Sequence, residues 1–244
     1  MKIKEEVLKV LSEGRAEGNI FYLPDMQLER KMYLNVNQVL ENAGGKWNRK
    51  AKGHIFTENS EEVIESILLT GEIIDARKEF NFFPTPVEVG KMLLELADIQ
   101  PRDILLEPSA GDGALLDLFP KGNYYIAIEP NPEKVKTLKS KGYEVAEKDF
   151  LETDFLGVDK VVMNPPFSKQ QDVDHILHAF DVTKKGGIIV SVVSQSPFFR
   201  ENKKSKQFRA FLDAFDAEIF DLPDGAFKES GTMVNTKVIK IIKK

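Results

Sequence analysis

Four times between Ile104 and Phe167 a short apolar run breaks off at a turn carrying a polar side chain: "DILLEP", "YYIAIEP", "YEVAEKDF" and "KVVMNPPF". Segments of helical periodicity separate them, at 113–119 and 131–141, with others at 86–98 and 171–183. Strands alternating with helices predict βα units, and therefore a mostly parallel sheet covered on both faces. A fifth strand, "IIVSVVS", follows Gly186–Gly187. A helix at 204–214, a strand near 217–222 and a last strand at 234–242 complete the chain. With no helix between them, the last two strands should pair antiparallel. The expectation is a seven-stranded, mostly parallel α/β sheet with an antiparallel last strand.

Ligands of open α/β sheets sit at the carboxyl ends of the strands. Along that edge the sequence places Glu107 with Gly111 and Gly113, then Glu129, then Asp149–Phe150, then Asn164–Phe167. Pro165 and Pro166 cannot continue a ladder, so they end the strand and hold Asn164 and Phe167 at a fixed spacing. A glycine turn alone would fit NAD or tight packing equally well. Four polar tips on successive strands describe a pocket for an adenosine-containing cofactor, with a flat, amine-bearing substrate beside it. Phosphate binding is disfavoured: no Lys–Ser/Thr pair follows the glycines, and Glu107 and Asp112 would repel a pyrophosphate. An acidic loop suits a cationic ligand such as S-adenosylmethionine.

The 244 residues leave room for one α/β domain and a small appendage. A helix at 4–13, an extended stretch at 19–24 and a helix at 26–42 stopped by Gly44–Gly45 come first. Two short strands around a basic turn at 50–53 and a helix capped by Ser60 follow. Residues 1–78 thus read as a small α+β module, a candidate DNA-contacting helix-hairpin-helix unit, and 79–244 as the catalytic domain. Absence of cysteine excludes disulfides, thiolate zinc sites and a cysteine nucleophile. No apolar run approaches the roughly 20 residues of a membrane span. The amphipathic, acid-containing start resembles no targeting peptide, so a cytoplasmic location without membrane contact is expected.

The net charge of −5 conceals two basic clusters. One carries Lys46, Arg49, Lys50 and Lys52 around Trp47; the other, at 198–209, includes Lys203 and Lys204. Both suit a polyanion whose affinity falls with salt. Trp47 reads as a core anchor, with base or sugar stacking as the alternative. The 199–207 stretch offers no evident apolar anchor and is expected to be mobile. His175 and His178 share a helix face, but no third ligand is evident; they read as solvated or capping, and no metal is expected.

"LEPSAGDG", "AIEPNP", "KDFLETDF" and "MNPPF", in this order, resemble the motifs of gamma-type N6-adenine DNA methyltransferases. "FFPTPVEVGKMLLELA" upstream and "AFKESGTMVNTKVI" downstream extend the likeness over residues 80–244. The resemblance implies a Rossmann-like class I fold dependent on S-adenosylmethionine. Phe83, Thr85, Glu107, Ser109, Gly111 and Gly113 would surround the methionine end of the cofactor. Glu129 would hold the ribose, Asp149 the adenine amine and Phe150 the adenine ring. Asn164 and Pro165 would accept from the target amine, Pro166 would stiffen the turn, and Phe167 and Phe227 would stack on a flipped adenine. The implied partner is DNA, double-stranded, for an enzyme of the kind phages and mobile elements carry, with room for a partner subunit or a homo-oligomer. The family's long target-recognition domain has no counterpart before Lys244. An RNA base or a protein glutamine amide presents the same planar NH2 and is the alternative substrate; a binding-only, inactive subunit is the non-enzyme alternative.

Overall fold

The computed structural model describes residues 2–73, 83–154, 157–223, 225–230 and 234–244. In chain order the elements begin α1 (Glu5–Ser12), β1 (Arg15–Glu17), β2 (Ile20–Tyr22), α2 (Arg30–Asn42), β3 (Lys46–Asn48), β4 (Gly53–Ile55) and α3 (Ser60–Thr70). Then come α4 (Val87–Ala97), β5 (Ile104–Glu107), β6 (Tyr124–Ala127), α5 (Pro132–Ser140), β7 (Val158–Met163), α6 (Gln171–Val182) and β8 (Thr183–Ser194). The chain closes with α7 (Ser196–Phe199), α8 (Lys203–Ala214), β9 (Glu218–Asp221) and β10 (Thr236–Ile242). Two compact units result: Met1–Glu79 with Gln195–Arg209, and Phe80–Ser194 with Ala210–Lys244. The boundary expected after residue 78, and Phe82, Phe155 and residues 231–233 of the quoted motifs, lie outside the described residues.

In the larger unit the sheet order is β6-β5-β7-β8-β10-β9, with β6, β5, β7 and β8 parallel and β10 antiparallel to both its neighbours. Central strands carry buried side chains in succession because helices cover both faces. Val161, Val162 and Met163 of β7 and Ile189, Val190, Val192 and Val193 of β8 are fully buried. Asp159 locks the start of β5 by accepting from the Ile104 N–H at 2.9 Å. Asp172 at the head of α6 accepts from the Ser194 N–H at 2.8 Å, which fixes the carboxyl end of β8. The parallel strands therefore deliver their polar tips to one edge.

Six strands form this sheet among the described residues, where seven were expected. The third is reduced to a single parallel bridge between Ile128 and Ala146. Exposed Glu147 and Lys148 leave it too little apolar surface to extend the pairing. The helix expected at 113–119 shrinks to a 3₁₀ turn at Leu116–Leu118. Gly111 (φ +54°) and Gly113 (φ +88°) lie in the left-handed region and keep the preceding residues out of helix.

The smaller unit packs α1, α2 and α3 around Val7, Leu11, Val36, Leu40 and Ile67, with Phe199 of α7 in the same core. Its antiparallel sheet, β1-β2-β4-β3, has one hairpin more than expected. The two residues Gly18–Asn19 join β1 to β2, with Glu17 paired to Ile20, and such a dipeptide is a hairpin signal. Buried Phe199 and Phe208 and the Arg200–Glu65 ion pair at 2.7 Å anchor the stretch read as lacking anchors. Asn59 caps α3, accepting from the Glu61 N–H at 2.9 Å. Ser60, expected in that role, instead donates to the Gly18 and Ile20 carbonyls, both at 3.0 Å. No helix among the described residues is long and apolar enough to cross a membrane. Asn59→Ala should lower stability by about 1 kcal/mol, read as a shifted urea midpoint at unchanged slope.

Candidate active site

At the tip of β5, Glu107 is 1 % exposed and its Oε1 accepts from the Ser109 N–H at 3.1 Å. Its Oε2 is buried with no partner. Burial in low dielectric pushes this carboxyl up to about 8; the Ser109 bond opposes the rise and the Glu129 charge adds to it. Glu129, past the tip of β6, accepts from the Gly111 N–H at 2.8 Å and the Asn131 N–H at 2.9 Å. It thereby ties the glycine loop to the start of α5. Gly113 packs so closely that a Cβ there would meet Leu138 at 3.0 Å.

Past β7, the Asn164 amide donates through Nδ2 to the Phe83 carbonyl at 3.1 Å and the Thr85 hydroxyl at 3.2 Å. Its Oδ1 is buried and has no partner. Phe83, Thr85, Glu107, Ser109, Asp112 and Asn164 line one small pocket of about 20 Å3, together with nearby apolar side chains. The structure thus brings Glu107 and Asn164, each with an unpartnered buried oxygen, to the same cavity.

The aromatic candidates are placed differently. Phe150 is 1 % exposed, its ring against His178 at 4.7 Å and His175 at 5.5 Å between centroids. Phe167 is 2 % exposed and Phe227 fully buried, so neither ring presents an open face here. Asp149 is exposed and caps the turn Phe150–Glu152 through the Leu151 N–H. Lys169 (φ +55°) and Gln170 (φ +59°), just beyond Phe167, hold left-handed backbone that side chains disfavour.

The histidines, read as solvated or capping, instead pack against the Phe150 ring. His175 is buried, its Nδ1 lies 3.3 Å from the Ser109 hydroxyl, and burial lowers its pKa to about 4, against the raising effect of Asp149 and Asp174. It is therefore neutral at pH 7. His178 Nε2 lies 3.1 Å from the Thr153 hydroxyl. Their i, i+3 spacing on α6 signalled a shared face; it could not show that Phe150 fills that face. No group of three or more metal-ligating side chains occurs among the described residues.

A methyltransferase subunit of a type I restriction-modification system from Streptococcus thermophilus superposes with a TM-score of 0.59 at 21% identity, covering 68% of this chain and 46% of that one. The fold is that of the class I S-adenosylmethionine-dependent methyltransferases. The M protein of the type I restriction enzyme EcoKI superposes with a TM-score of 0.57 at 17% identity over 97% of this chain and 56% of its own. In sequence, a probable ribosomal RNA small subunit methyltransferase A from Methanosphaera stadtmanae is 33% identical over 117 residues, 45% of this chain and 42% of the relative. The chain spans 42% to 62% of the length of the curated relatives it matches. No protein-family model matches it.

S-adenosylmethionine is the cofactor of this fold, and the donor set fits it: the orphaned Glu107 oxygen suits an ammonium group. Because the folded-state pKa of Glu107 lies above its unfolded value, its contribution to stability is complete below about pH 4.5 and is lost as pH rises through about 8. The ligand-free protein should therefore lose thermal stability between about pH 4.5 and 8, and Glu107→Gln should flatten that loss. Cofactor binding below about pH 8 should release a proton in the wild type and none in Glu107→Gln, measured calorimetrically in buffers of different ionisation enthalpy.

Proposed function

We propose that this chain transfers a methyl group from S-adenosylmethionine to the exocyclic N6 amine of adenine in DNA. The observation that carries it is the Asn164 amide, whose two hydrogens are committed and whose oxygen is buried and unanswered. A buried acceptor without a donor is costly to the fold by about 1–3 kcal/mol, so a ligand N–H is its natural complement. Bound cofactor supplies an electrophilic methyl carbon on a sulfonium.

Asn164 Oδ1 and the Pro165 carbonyl accept from the target amine, drawing its lone pair out of conjugation and orienting it for in-line attack. With cofactor bound, the amine nitrogen held by Asn164 and Pro165 would take the methyl group in line as the C–S bond breaks, and the methylated nitrogen would lose its proton to water. Glu107 anchors the cofactor's amino group, Glu129 retains acceptor capacity for ribose hydroxyls, and Asp149 is open to the adenine amine. Positioning and pre-organised acceptors account for the acceleration, without a covalent intermediate. DNA is favoured by the order of the motifs around "NPPF". The 33% identity to a probable ribosomal RNA methyltransferase favours a second reading, an RNA base as substrate.

Labelled methyl transfer to separate DNA, RNA and protein pools, followed by mapping of N6-methyladenine, discriminates among these. Label in DNA adenine is expected; label in protein alone would overturn the base assignment. Asn164→Ala should cut kcat by about 10²–10³-fold or more while cofactor affinity stays within a few-fold. Wild-type turnover in that variant would remove Asn164 from the mechanism.

A further inference from the structure

Trp47 was expected in the core of the smaller unit, yet it is 47 % exposed. It sits on β3 directly across from His54 of β4, so both side chains project from the same sheet face. The indole lies edge-on to the imidazole at 5.2 Å. His54 is fully buried, and burial lowers its pKa, against the raising influence of Glu41. Asn37 Nδ2 donates to Glu41 at 2.8 Å, which leaves Asn37 Oδ1 to accept from His54 Nε2 at 2.7 Å. The imidazole is thus neutral with its proton on Nε2, and its Nδ1 is buried without a partner. Folding alone does not favour an exposed indole set against an imidazole with an unanswered acceptor. What the arrangement does achieve is a ring held in one place by a chain of contacts running from α2.

The tip of the same hairpin is ordered as well. Asn48 Oδ1 accepts from the Lys50 and Ala51 N–H groups at 3.0 and 2.9 Å, and Lys52 takes a left-handed φ of +55°. Lys46, Arg49, Lys50 and Lys52 are all exposed, and none has a carboxylate partner among the described residues. Four unneutralised cations beside a fixed, exposed aromatic ring are the two components of a single-strand platform: charge that follows phosphates and a π-face that receives bases whatever their identity. Duplex bases are already stacked on one another and offer no such face.

Building on the base-methylation reading, we propose that the β3–β4 hairpin binds unpaired nucleotides, stacking a base on Trp47 while Lys46, Arg49, Lys50 and Lys52 hold the flanking phosphates. This departs from the double-stranded partner expected from sequence. It also matches the chemistry assigned to the catalytic unit, which requires its target base to leave the stack.

Trp47 is the chain's single tryptophan, so its fluorescence reports the contact directly. The 244-residue chain, without cofactor, is titrated with a thymidine oligonucleotide, a uridine oligonucleotide and a duplex of equal length. Saturable quenching by the single strands and weaker binding without quenching by the duplex are expected. Trp47→Ala should weaken single-strand binding roughly 5- to 150-fold, and Trp47→Phe should recover much of it, with folding of both checked by circular dichroism. Replacing the four cations by Gln should flatten the salt dependence of binding. Unquenched fluorescence on saturation with single strands, duplex preferred over single strand, or wild-type affinity in Trp47→Ala would overturn the proposal. Because no methyl transfer is measured, failure of the hairpin and failure of the enzymatic reading give separate results.

Discussion

Both hydrogens of the Asn164 amide are committed, one to the Phe83 carbonyl and one to the Thr85 hydroxyl, and the rest of the candidate site takes its meaning from that commitment. An amide free to rotate could offer either a donor or an acceptor to the cavity. Here the segment preceding α4 consumes the donor end, so only the acceptor remains. The selectivity that follows is chemical: a group bearing N–H is favoured and a carbonyl is repelled. Pro165 and Pro166 cooperate by removing the backbone donors that would otherwise answer the oxygen internally.

The two glutamates nearby divide their work through the same kind of accounting of hydrogen bonds. Glu129 is satisfied by two backbone N–H groups and serves first as a fastener between the glycine loop and α5. Glu107 receives one N–H and keeps an oxygen in reserve, which is why burial acts on it so strongly. A cation entering the pocket would reverse that penalty, since an opposite charge at close range restores the ionised form. A phosphate would deepen it. A preference for a cationic ligand would therefore reside in the unmet demand of one carboxylate rather than in the net charge of the surface.

Much of this was legible in the sequence because parallel strands announce themselves by uninterrupted apolar runs and end where polar residues begin. β5, β6, β7, α4, α5, α6 and the reversed β10 lie where periodicity and turn chemistry put them. The misreadings share a physical origin. A strand needs a partner's surface as well as its own pattern, so "YEVAEKDF" shrinks to one bridge. Hydrophobic type does not determine depth, so Trp47, read as a core anchor, lies outside. Neighbouring capping residues compete, and Asn59 takes the helix end while Ser60 serves two distant carbonyls. The Gly18–Asn19 turn is a hairpin signal, but flanking strands of three residues each carry too short a pattern to mark themselves as strands.

The buried aromatic rings bear on how a base could be received. Stacking by Phe167 would require that its ring be uncovered, and two consecutive left-handed residues follow it at positions 169 and 170. Lys169 and Gln170 are consecutive residues in left-handed conformation, each at a cost of about 1–2 kcal/mol relative to ordinary helix. If the Phe167 ring is to be uncovered for a base, strain of that size two residues beyond it would lower the work of rearranging the segment, because part of it is recovered when the two residues relax. Asn164 carries no such strain and is fixed by two hydrogen bonds. Between Asn164 and Gln170 the turn therefore joins an acceptor fixed by two hydrogen bonds to a pair of consecutive left-handed residues.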